Sequence, residues 1–341
     1  MDYNFSVFVG LDGFIDHIFV AVDQRFGPGN NFKKINKIKE FAERIAHASG
    51  KSTNIELFPI EQRIGGNGPI LAQTLAFYGV YVQLMGALGN PLDPTFHHLP
   101  SKVNPISIGH PGITNAIEFD DGKLLLGITH SLDCITLEKC LPYIRENNEK
   151  IFTCDALCFA NWTMLIHLNE ILTFFWDHIR KDRQKFCFFD LADPEKRSLN
   201  DIYSIIQLIQ LYTQKYTTIL GLNLKEAEQI VAVLQSYQLT RNPTSIKKPD
   251  VQTLCQYIQT QTKIDEIVIH DTTCCAAATQ SETSYVDGFF VAHPKITTGA
   301  GDHFNAGYLL AKLQKKSLHD CLIQAYKISS HFVATGHCCN L

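Results

Sequence analysis

The chain alternates between short apolar runs and longer segments whose apolar residues recur at helical spacing, most clearly after residue 136. Four of the short runs are almost continuously apolar, which is typical of strands buried on both faces of a sheet. These runs lie at 156–160, 186–190, 217–221 and 264–269. Two helical segments, near 300–314 and 318–334, follow at the end of the sequence. Repeated β–α units of this kind predict a mostly parallel sheet with helices on both faces.

The first half of the chain is less regular but predicts further elements. They are a strand at 6–10, a helix at 33–47, a helix at 69–78 and a strand at 80–87. Residues 114–127 predict a hairpin around an Asp-Gly turn, and its position suggests that it projects from the main sheet. The polar stretch 240–250 is the best candidate for a mobile loop. We therefore expect one α/β domain over residues 1–341 with a small β-rich elaboration.

Composition narrows the functional classes. The chain has 341 residues, 45% of them hydrophobic, and 30 Lys and Arg against 34 Asp and Glu give a net charge of −4. This balance, without a long basic run, argues against nucleic-acid binding. No apolar run is long enough to span a bilayer and no secretion signal opens the sequence, so we expect a cytoplasmic protein with no membrane partner. The eleven cysteines have no zinc or disulfide spacing and are expected to be reduced.

A glycine turn in the last eighth of the chain carries the strongest chemical signal. Gly299 and Gly301 flank Ala300, Asp302 follows at once, and apolar residues then recur at helical spacing. The free N–H groups and the dipole at the start of such a helix attract an anion, and glycine lets a phosphate approach the backbone. Asp302, beside that anion, could take a proton from an attacking hydroxyl. An ordinary connection with an acid in the first helical turn fits the same residues.

Three other polar features stand at strand ends or helix starts. Asp12 and Asp16 follow the first strand, where open α/β sheets place ligand contacts, although a turn with solvated acids fits equally well. Residues 65–67, Gly-Gly-Asn, precede a predicted helix. Asn223 and Glu226 are three apart in a first helical turn and point the same way. Alone, this pair would be an N-cap with its capping box.

Taken together and in this order, the features resemble the ribokinase-like (PfkB) family of carbohydrate and nucleoside kinases over most of the chain. Residues 297–307 look like the family's (D)TxGAGDxFxAG signature, and residues 223–226 match its NxxE motif. Residues 65–67 match the N-terminal di-glycine signature, and Asp16 sits where the family places a substrate-binding aspartate. The four matches in sequence are far more specific than a single glycine turn.

The resemblance implies a three-layer α/β/α ribokinase-like fold with a mostly parallel central sheet and a small β-sheet lid. The lid strands are expected near 53–65 and 112–129. Since lids in this family often pair, we expect a homodimer through the lid. The implied activity is ATP-dependent phosphorylation of a hydroxyl on a small carbohydrate, which depends on positioning and charge neutralisation.

The resemblance also implies a role for each motif residue. Asp302 would be the general base, and the N–H groups of Gly299, Ala300 and Gly301 would hold the charge on the transferring phosphoryl group. The implied substrate-binding residues are Asp12, Asp16, Gly65, Gly66 and Asn67. The implied nucleotide-binding residues are Asn223, Thr272, Thr298 and Gly301. Asn223 and Glu226 are also implied to hold Mg²⁺ through water.

The sequence departs from the family pattern at three places. Ile296 replaces the Asp that helps to bind a monovalent cation, so K⁺ activation is not expected from the resemblance. Residues 270–276 lack the glycines of the family's nucleotide loop, and Ile70 replaces an Asn that touches substrate. Two alternatives to a sugar kinase therefore stay open. One is a nucleoside kinase, although no aromatic pair marks a base pocket; the other is a non-catalytic sensor that binds a sugar or nucleotide.

Overall fold

The computed structural model describes residues 4–237, 250–288, 291–292 and 294–340. The predicted loop at 240–250 therefore lies, except for Asp250, outside the described residues. The strands are β1 (Ser6–Leu11), β2 (Phe14–Arg25), β3 (Phe32–Lys34), β4 (Leu57–Gly65), β5 (Tyr81–Gly86), β6 (Val103–Ser107), β7 (Gly112–Phe119), β8 (Gly122–Ile128), β9 (Ala156–Phe159), β10 (Phe186–Asp190), β11 (Thr217–Asn223), β12 (Glu266–His270), β13 (Cys274–Thr279) and β14 (Thr283–Asp287). The helices are α1 (Ile38–Ala46), α2 (Asn67–Phe77), α3 (Leu137–Glu146), α4 (Asn148–Phe152), α5 (Leu168–His178), α6 (Leu199–Tyr212), α7 (Leu224–Tyr237), α8 (Val251–Thr262), α9 (Ala300–Leu313) and α10 (Leu318–Thr335).

The larger sheet has nine strands in the order β14-β13-β12-β11-β10-β9-β1-β5-β6. The seven strands from β12 to β6 run parallel, and β13 and β14 are antiparallel at one edge. The four apolar runs that predict buried strands correspond to β9, β10, β11 and β12, which are neighbours in this sheet. The predicted α/β fold with a mostly parallel central sheet is confirmed.

Helices cover both faces of this sheet. One hydrophobic cluster packs α3 to α8 against one face, and another packs α2, α9 and α10 against the other. The alternation is visible within β1, where Phe8 belongs to the first cluster and Val7 and Val9 to the second. Because successive side chains of a strand point to opposite faces, a sheet buried on both faces needs this continuous apolar pattern. The architecture is therefore three-layered.

The smaller sheet has the order β3-β2-β7-β8, with β4 also paired to β2. It leaves the larger sheet at the carboxyl end of β1, because only Asp12 and Gly13 separate β1 from β2. A small apolar cluster between this sheet and α1 supports it, formed by Ala21, Ile35, Phe41, Ile117 and Phe119. Strands β4, β7 and β8 lie within the two segments where lid strands are expected.

Two local features differ from the sequence pattern. Strand β2 is not predicted, because its burial does not alternate regularly and both of its edges are paired with other strands. The predicted helix at 33–47 is wrong at its start, since Phe32–Lys34 forms β3 against β2 and the helix begins at Ile38. Pairing with a distant strand overrides the local helical period here.

Two further expectations concern the chain as a whole. In the parts of the chain that the structure describes, no helix combines the length and the apolarity needed to cross a bilayer. All eleven cysteines are free, and most are buried as small apolar side chains. This agrees with the absence of a disulfide spacing in the sequence.

Candidate active site

The predicted site residues gather at the carboxyl edge of the larger sheet, under the smaller sheet. The helices α2 and α9 both start at this edge. A central cavity of about 360 Å³ and an outer cavity of about 500 Å³ lie there. A third cavity of about 460 Å³ shares Asp16, Ile70 and Thr298 with the central one. Polar residues that line the central cavity include Asp16, Asn67, Thr114, Asn161, Asp190, Asp193, Asn223, Glu226, His270, Thr298 and Asp302. Open α/β sheets place their ligands at this edge.

The glycine turn is the N-terminus of α9. Gly299 is its N-cap, with φ of 86°, a left-handed conformation that glycine adopts without strain. The Ala300 N–H donates to the Thr297 carbonyl at 3.2 Å. Among the described residues, the N–H groups of Gly299, Gly301 and Asp302 have no backbone acceptor. Three backbone donors are therefore available to an anion, and Ala300 contributes less than the sequence suggests.

His303 stabilises the glycine turn. Its Nδ1 donates to the Gly299 carbonyl at 2.8 Å, and its ring stacks on Phe332 with centroids 3.6 Å apart. Burial lowers the pKa of His303 to about 4, so the ring is neutral near pH 7. His303 therefore fixes the shape of the turn without adding a charge.

Asp302 lies in the first turn of α9 with 6% of its surface exposed. Its Oδ1 accepts a hydrogen bond from Nδ2 of Asn67 at 2.9 Å, which joins the starts of α9 and α2. Burial raises the pKa of Asp302 well above its usual value, and the nearby Asp190 and Asp12 raise it further. A carboxylate in this position has a strong affinity for a proton.

Asp12 also lies at this edge, but its carboxylate is bound by the protein. It accepts hydrogen bonds from the N–H of Asn67 at 2.9 Å, the N–H of Gly68 at 2.8 Å and Nδ2 of Asn161 at 2.9 Å. Burial raises its pKa to about 6, and these donors oppose the rise. Asp12 is not among the residues that line the central cavity. Although it is distant in sequence, it satisfies two backbone N–H groups in the first turn of α2, where a negative charge is favourable.

Asp16 lies in β2 and does line the central cavity. Burial raises its pKa, while a hydrogen bond with Thr114 and the charges of Arg63 and Lys123 oppose the rise. A Cβ at Gly65 would lie 2.2 Å from Oδ1 of Asp16, so a side chain at that position would displace the carboxylate. The di-glycine motif thus makes room for a carboxylate that faces the cavity.

The smaller sheet also contacts the glycine turn directly. Lys123 on β8 donates from Nζ to the hydroxyl of Thr298. Burial lowers the pKa of Lys123, and the Arg63 charge lowers it further. Strand β8 of the smaller sheet therefore lies at the central cavity and contacts Thr298, the residue before the turn.

Asn223 ends β11, and Glu226 lies in the first turn of α7. The Glu226 carboxylate accepts from the N–H of Asp193 and the N–H of Asn223, both at 2.9 Å, and Oδ1 of Asn223 accepts from the N–H of Glu226 at 2.9 Å. This is the reciprocal arrangement of a capping box. Both residues also line the central cavity, so the capping box and the ligand site use the same side chains.

The outer cavity lies on the other side of the turn. It is lined by Asn223, His270, Asp271, Thr272, Val291, Ala292, Pro294, Thr297, Ala300, Gly301, Phe304, Tyr326, Ser329, Ser330 and Val333. The Thr272 carbonyl accepts a hydrogen bond from the Tyr326 hydroxyl at 2.6 Å, which ties β12 and β13 to α10. The 270–276 segment thus borders a cavity although it lacks the family's glycines.

Two lining residues, Asn161 and Asp190, lie outside the four motifs. Asn161 follows β9, and it binds Asp12 from a left-handed backbone conformation with φ of 59°. Asp190 ends β10 and accepts from Nδ2 of Asn305 at 2.9 Å. A polar residue at or just beyond the end of a buried strand is the signal for both, because parallel strands end at the same edge.

Comparisons with known proteins show which family the chain belongs to. The family model described as prokaryotic ketohexokinase matches residues 4–341. The chain belongs to the prokaryotic ketohexokinase family. A ketohexokinase from Haloferax volcanii is 22% identical over 342 residues, which cover 97% of this chain and 87% of that protein. The expected membership of the ribokinase-like group is confirmed. The chain studied is a phosphotransferase with an alcohol group as acceptor.

Solved structures share the fold at low sequence identity. A carbohydrate kinase from Agrobacterium tumefaciens is 16% identical with a TM-score of 0.65, covering 98% of this chain and 92% of that one. A ribokinase from Cryptococcus neoformans var. grubii serotype A, solved in complex with ADP, is 16% identical with a TM-score of 0.63, covering 99% and 96%. A nucleoside kinase from Methanocaldococcus jannaschii is 14% identical with a TM-score of 0.62, covering 99% and 94%.

Proposed function

We propose that this protein transfers the terminal phosphoryl group of ATP to a hydroxyl of a ketohexose. The family and the Haloferax volcanii relative carry this activity in their names. The observation that carries the proposal is the position of Asp302, a buried carboxylate next to free backbone donors on a polar cavity. That arrangement provides a base and an anion site within one helical turn.

The transfer itself needs few protein groups. The acceptor oxygen attacks the terminal phosphorus of ATP as Asp302 takes its proton. The N–H groups of Gly299 and Gly301 stabilise the negative charge on the phosphoryl oxygens, and Ala300 shapes the turn between them. Because these donors are fixed by α9 before substrate arrives, little reorganisation is needed during the reaction.

Polar side chains of the central cavity would bind the hydroxyl groups of the sugar. Asp16 and Asn67 provide an acceptor and a donor, and Thr114 lies beside Asp16. Gly65 and Gly66 let the backbone lie close to this group, while Asp12 keeps α2 in position. Phe14 is the one phenyl, phenol or indole ring among the lining residues that the structure describes, which favours a polyol over a nucleobase.

Mg²⁺ fits the donors at the start of α7. Burial raises the pKa of Glu226, and burial first and then the Glu226 charge raise the pKa of Asp190. A cation near these carboxylates would relieve their repulsion, and Asn223 adds an amide oxygen. No cluster of three or more His, Cys, Asp or Glu is arranged as a protein-only metal cage in the described residues. This suits Mg²⁺, which keeps several waters and phosphate ligands and neutralises phosphate charge.

The nucleotide would occupy the outer cavity. Thr272 and Ala300 line it, and Asn223 and Gly301 connect it to the central cavity. Thr298, held by Lys123, precedes the turn on the side of the central cavity. The donor and the acceptor would therefore meet at the start of α9.

An acceptor screen tests the proposal. The wild-type protein with ATP and Mg²⁺ is offered ketohexoses, aldohexoses, ribose, adenosine and buffer alone, and the products are followed by ³¹P NMR and ADP release. We expect a sugar monophosphate from at least one ketohexose, with kcat/KM at least about 10-fold above that for the other classes, which corresponds to a difference of about 1.4 kcal/mol in activation free energy. Preferential turnover of adenosine would favour a nucleoside kinase. Tight binding of sugar or nucleotide without turnover would favour the sensor alternative.

A further inference from the structure

His270, at the carboxyl end of β12, lies where the two cavities meet. Three residues line both the central and the outer cavity: Asn223, His270 and Gly301. Under the proposed function, on which this inference rests, the acceptor occupies one cavity and the nucleotide the other. The phosphoryl group passes between them, so the residues common to both cavities surround its path.

The His270 ring is held by packing. Its centroid lies 4.9 Å from that of Phe304 in α9. A Cβ built on Gly301 would lie 3.2 Å from Cε1 and 3.3 Å from Nε2 of His270, so this edge of the imidazole faces the glycine turn. Within the described residues, neither ring nitrogen has a hydrogen-bond partner in the protein. A ring nitrogen at a cavity wall without a protein partner fits a ligand that accepts a hydrogen bond.

The His270 ring can donate a hydrogen bond in either protonation state, because an imidazole carries at least one N–H. The Gly301 N–H next to it is also free of a backbone acceptor within the described part of the chain. The cavity junction thus has two donors side by side.

We infer that His270 is a further phosphate-binding residue, whose ring N–H donates to an oxygen of the terminal phosphoryl group of the nucleotide. The contact holds that group at the junction while the acceptor oxygen attacks. The new bond joins the acceptor oxygen to the terminal phosphorus. The bond between that phosphorus and the oxygen that bridges it to ADP breaks. The proton of the acceptor goes to Asp302, and His270 keeps its own.

Steady-state kinetics of three variants test this role. His270→Ala removes the donor, His270→Gln keeps an N–H donor, and His47→Gln changes an exposed histidine just after α1 as a control. We expect His270→Ala to raise KM for ATP and lower kcat/KM for ATP by about 10-fold to 100-fold, the effect of one hydrogen bond to a charged group. KM for the sugar should stay within about 2-fold. His270→Gln should recover part of the loss, and His47→Gln should match the wild type.

A binding measurement separates this inference from the proposed function. Calorimetry without acceptor compares ATP·Mg²⁺ with ADP·Mg²⁺ for each variant, after circular dichroism has shown that the variant is folded. Since the contact is to the terminal phosphoryl group, His270→Ala should weaken ATP binding about 10-fold more than ADP binding. Equal losses for the two nucleotides, or unchanged ATP affinity, would overturn the inference. If the wild type binds ATP but phosphorylates no acceptor, the proposed function fails and this comparison still decides the role of His270.

Discussion

At the scale of single residues, the buried carboxylates at the sheet edge differ in how many donors they already have. Asp12 accepts three hydrogen bonds from the protein, and Asp190 accepts two, from the Ala192 N–H and Asn305. Asp302 accepts one, from Asn67, among the described residues. A carboxylate with free lone pairs next to a cavity is the one that can accept a proton from a substrate. This difference separates the proposed base from the structural acids.

The pH dependence of the reaction should reflect the environment of Asp302. Burial first, and then Asp190 and Asp12, raise its pKa, so its proton is lost at a higher pH than that of an ordinary aspartate. A base must be deprotonated, and kcat/KM for the sugar should therefore fall as pH decreases through a value above the usual aspartate range of about 4. Because several carboxylates interact, the midpoint belongs to the group rather than to one residue.

A pH profile of kcat/KM at saturating ATP·Mg²⁺ measures this midpoint. Stability at each pH is checked by incubating the protein and assaying it again at pH 7. A profile that stays flat down to about pH 4.5 would contradict a raised pKa at the base.

At the scale of elements, the outermost strand of the smaller sheet, β8, exposes apolar side chains. Strand β8 pairs only with β7, and its side chains Leu125, Leu126 and Ile128 are 52%, 52% and 45% exposed. An exposed apolar edge strand is a ready surface for pairing with another chain. We therefore propose that the expected homodimer forms through β8.

Sedimentation velocity tests the dimer. Leu126 and Ile128 project from the face of β8 opposite to Leu125, which lines the central cavity. The double variant Leu126→Glu, Ile128→Glu should be monomeric at concentrations where the wild type is a dimer, because it places like charges across the interface. Leu199→Glu, at an exposed apolar position of α6, should behave as the wild type. A monomeric wild type at tens of micromolar would contradict the proposal.

At the scale of the whole molecule, the sequence predicts contiguous features better than assembled ones. The glycine turn and the Asn223 to Glu226 pair lie in short segments with helical or strand context, so their local structure follows from a few neighbouring residues. The different roles of Asp12 and Asp302 depend on which donors of α2 contact each carboxylate. Backbone N–H groups donate to Asp12, and the Asn67 side chain donates to Asp302. The junction at His270 depends on three elements, β11, β12 and α9, that are distant in sequence. Such features follow from packing and cannot be predicted from local pattern alone.

The larger sheet was predictable for a related reason. Its central strands are apolar on both faces and need no particular partner to be recognised. Strand β2, by contrast, is defined by its pairing with β3, β4 and β7, and its sequence Phe14–Arg25 has no clear period. Secondary structure that depends on non-local pairing is the part that the pattern missed.

Phosphoryl transfer by Asp302→Asn tests the role of Asp302 as the base. The wild type, Asp302→Asn and the exposed control Asp133→Asn are assayed with ATP·Mg²⁺ and the preferred ketohexose, and nucleotide affinity is measured by calorimetry. We predict that Asp302→Asn lowers kcat by about 100-fold to 10,000-fold, because the acceptor proton loses its base, while nucleotide affinity and the thermal unfolding midpoint stay near those of the control. Turnover by Asp302→Asn within about 3-fold of the wild type would contradict the role of Asp302 as the base.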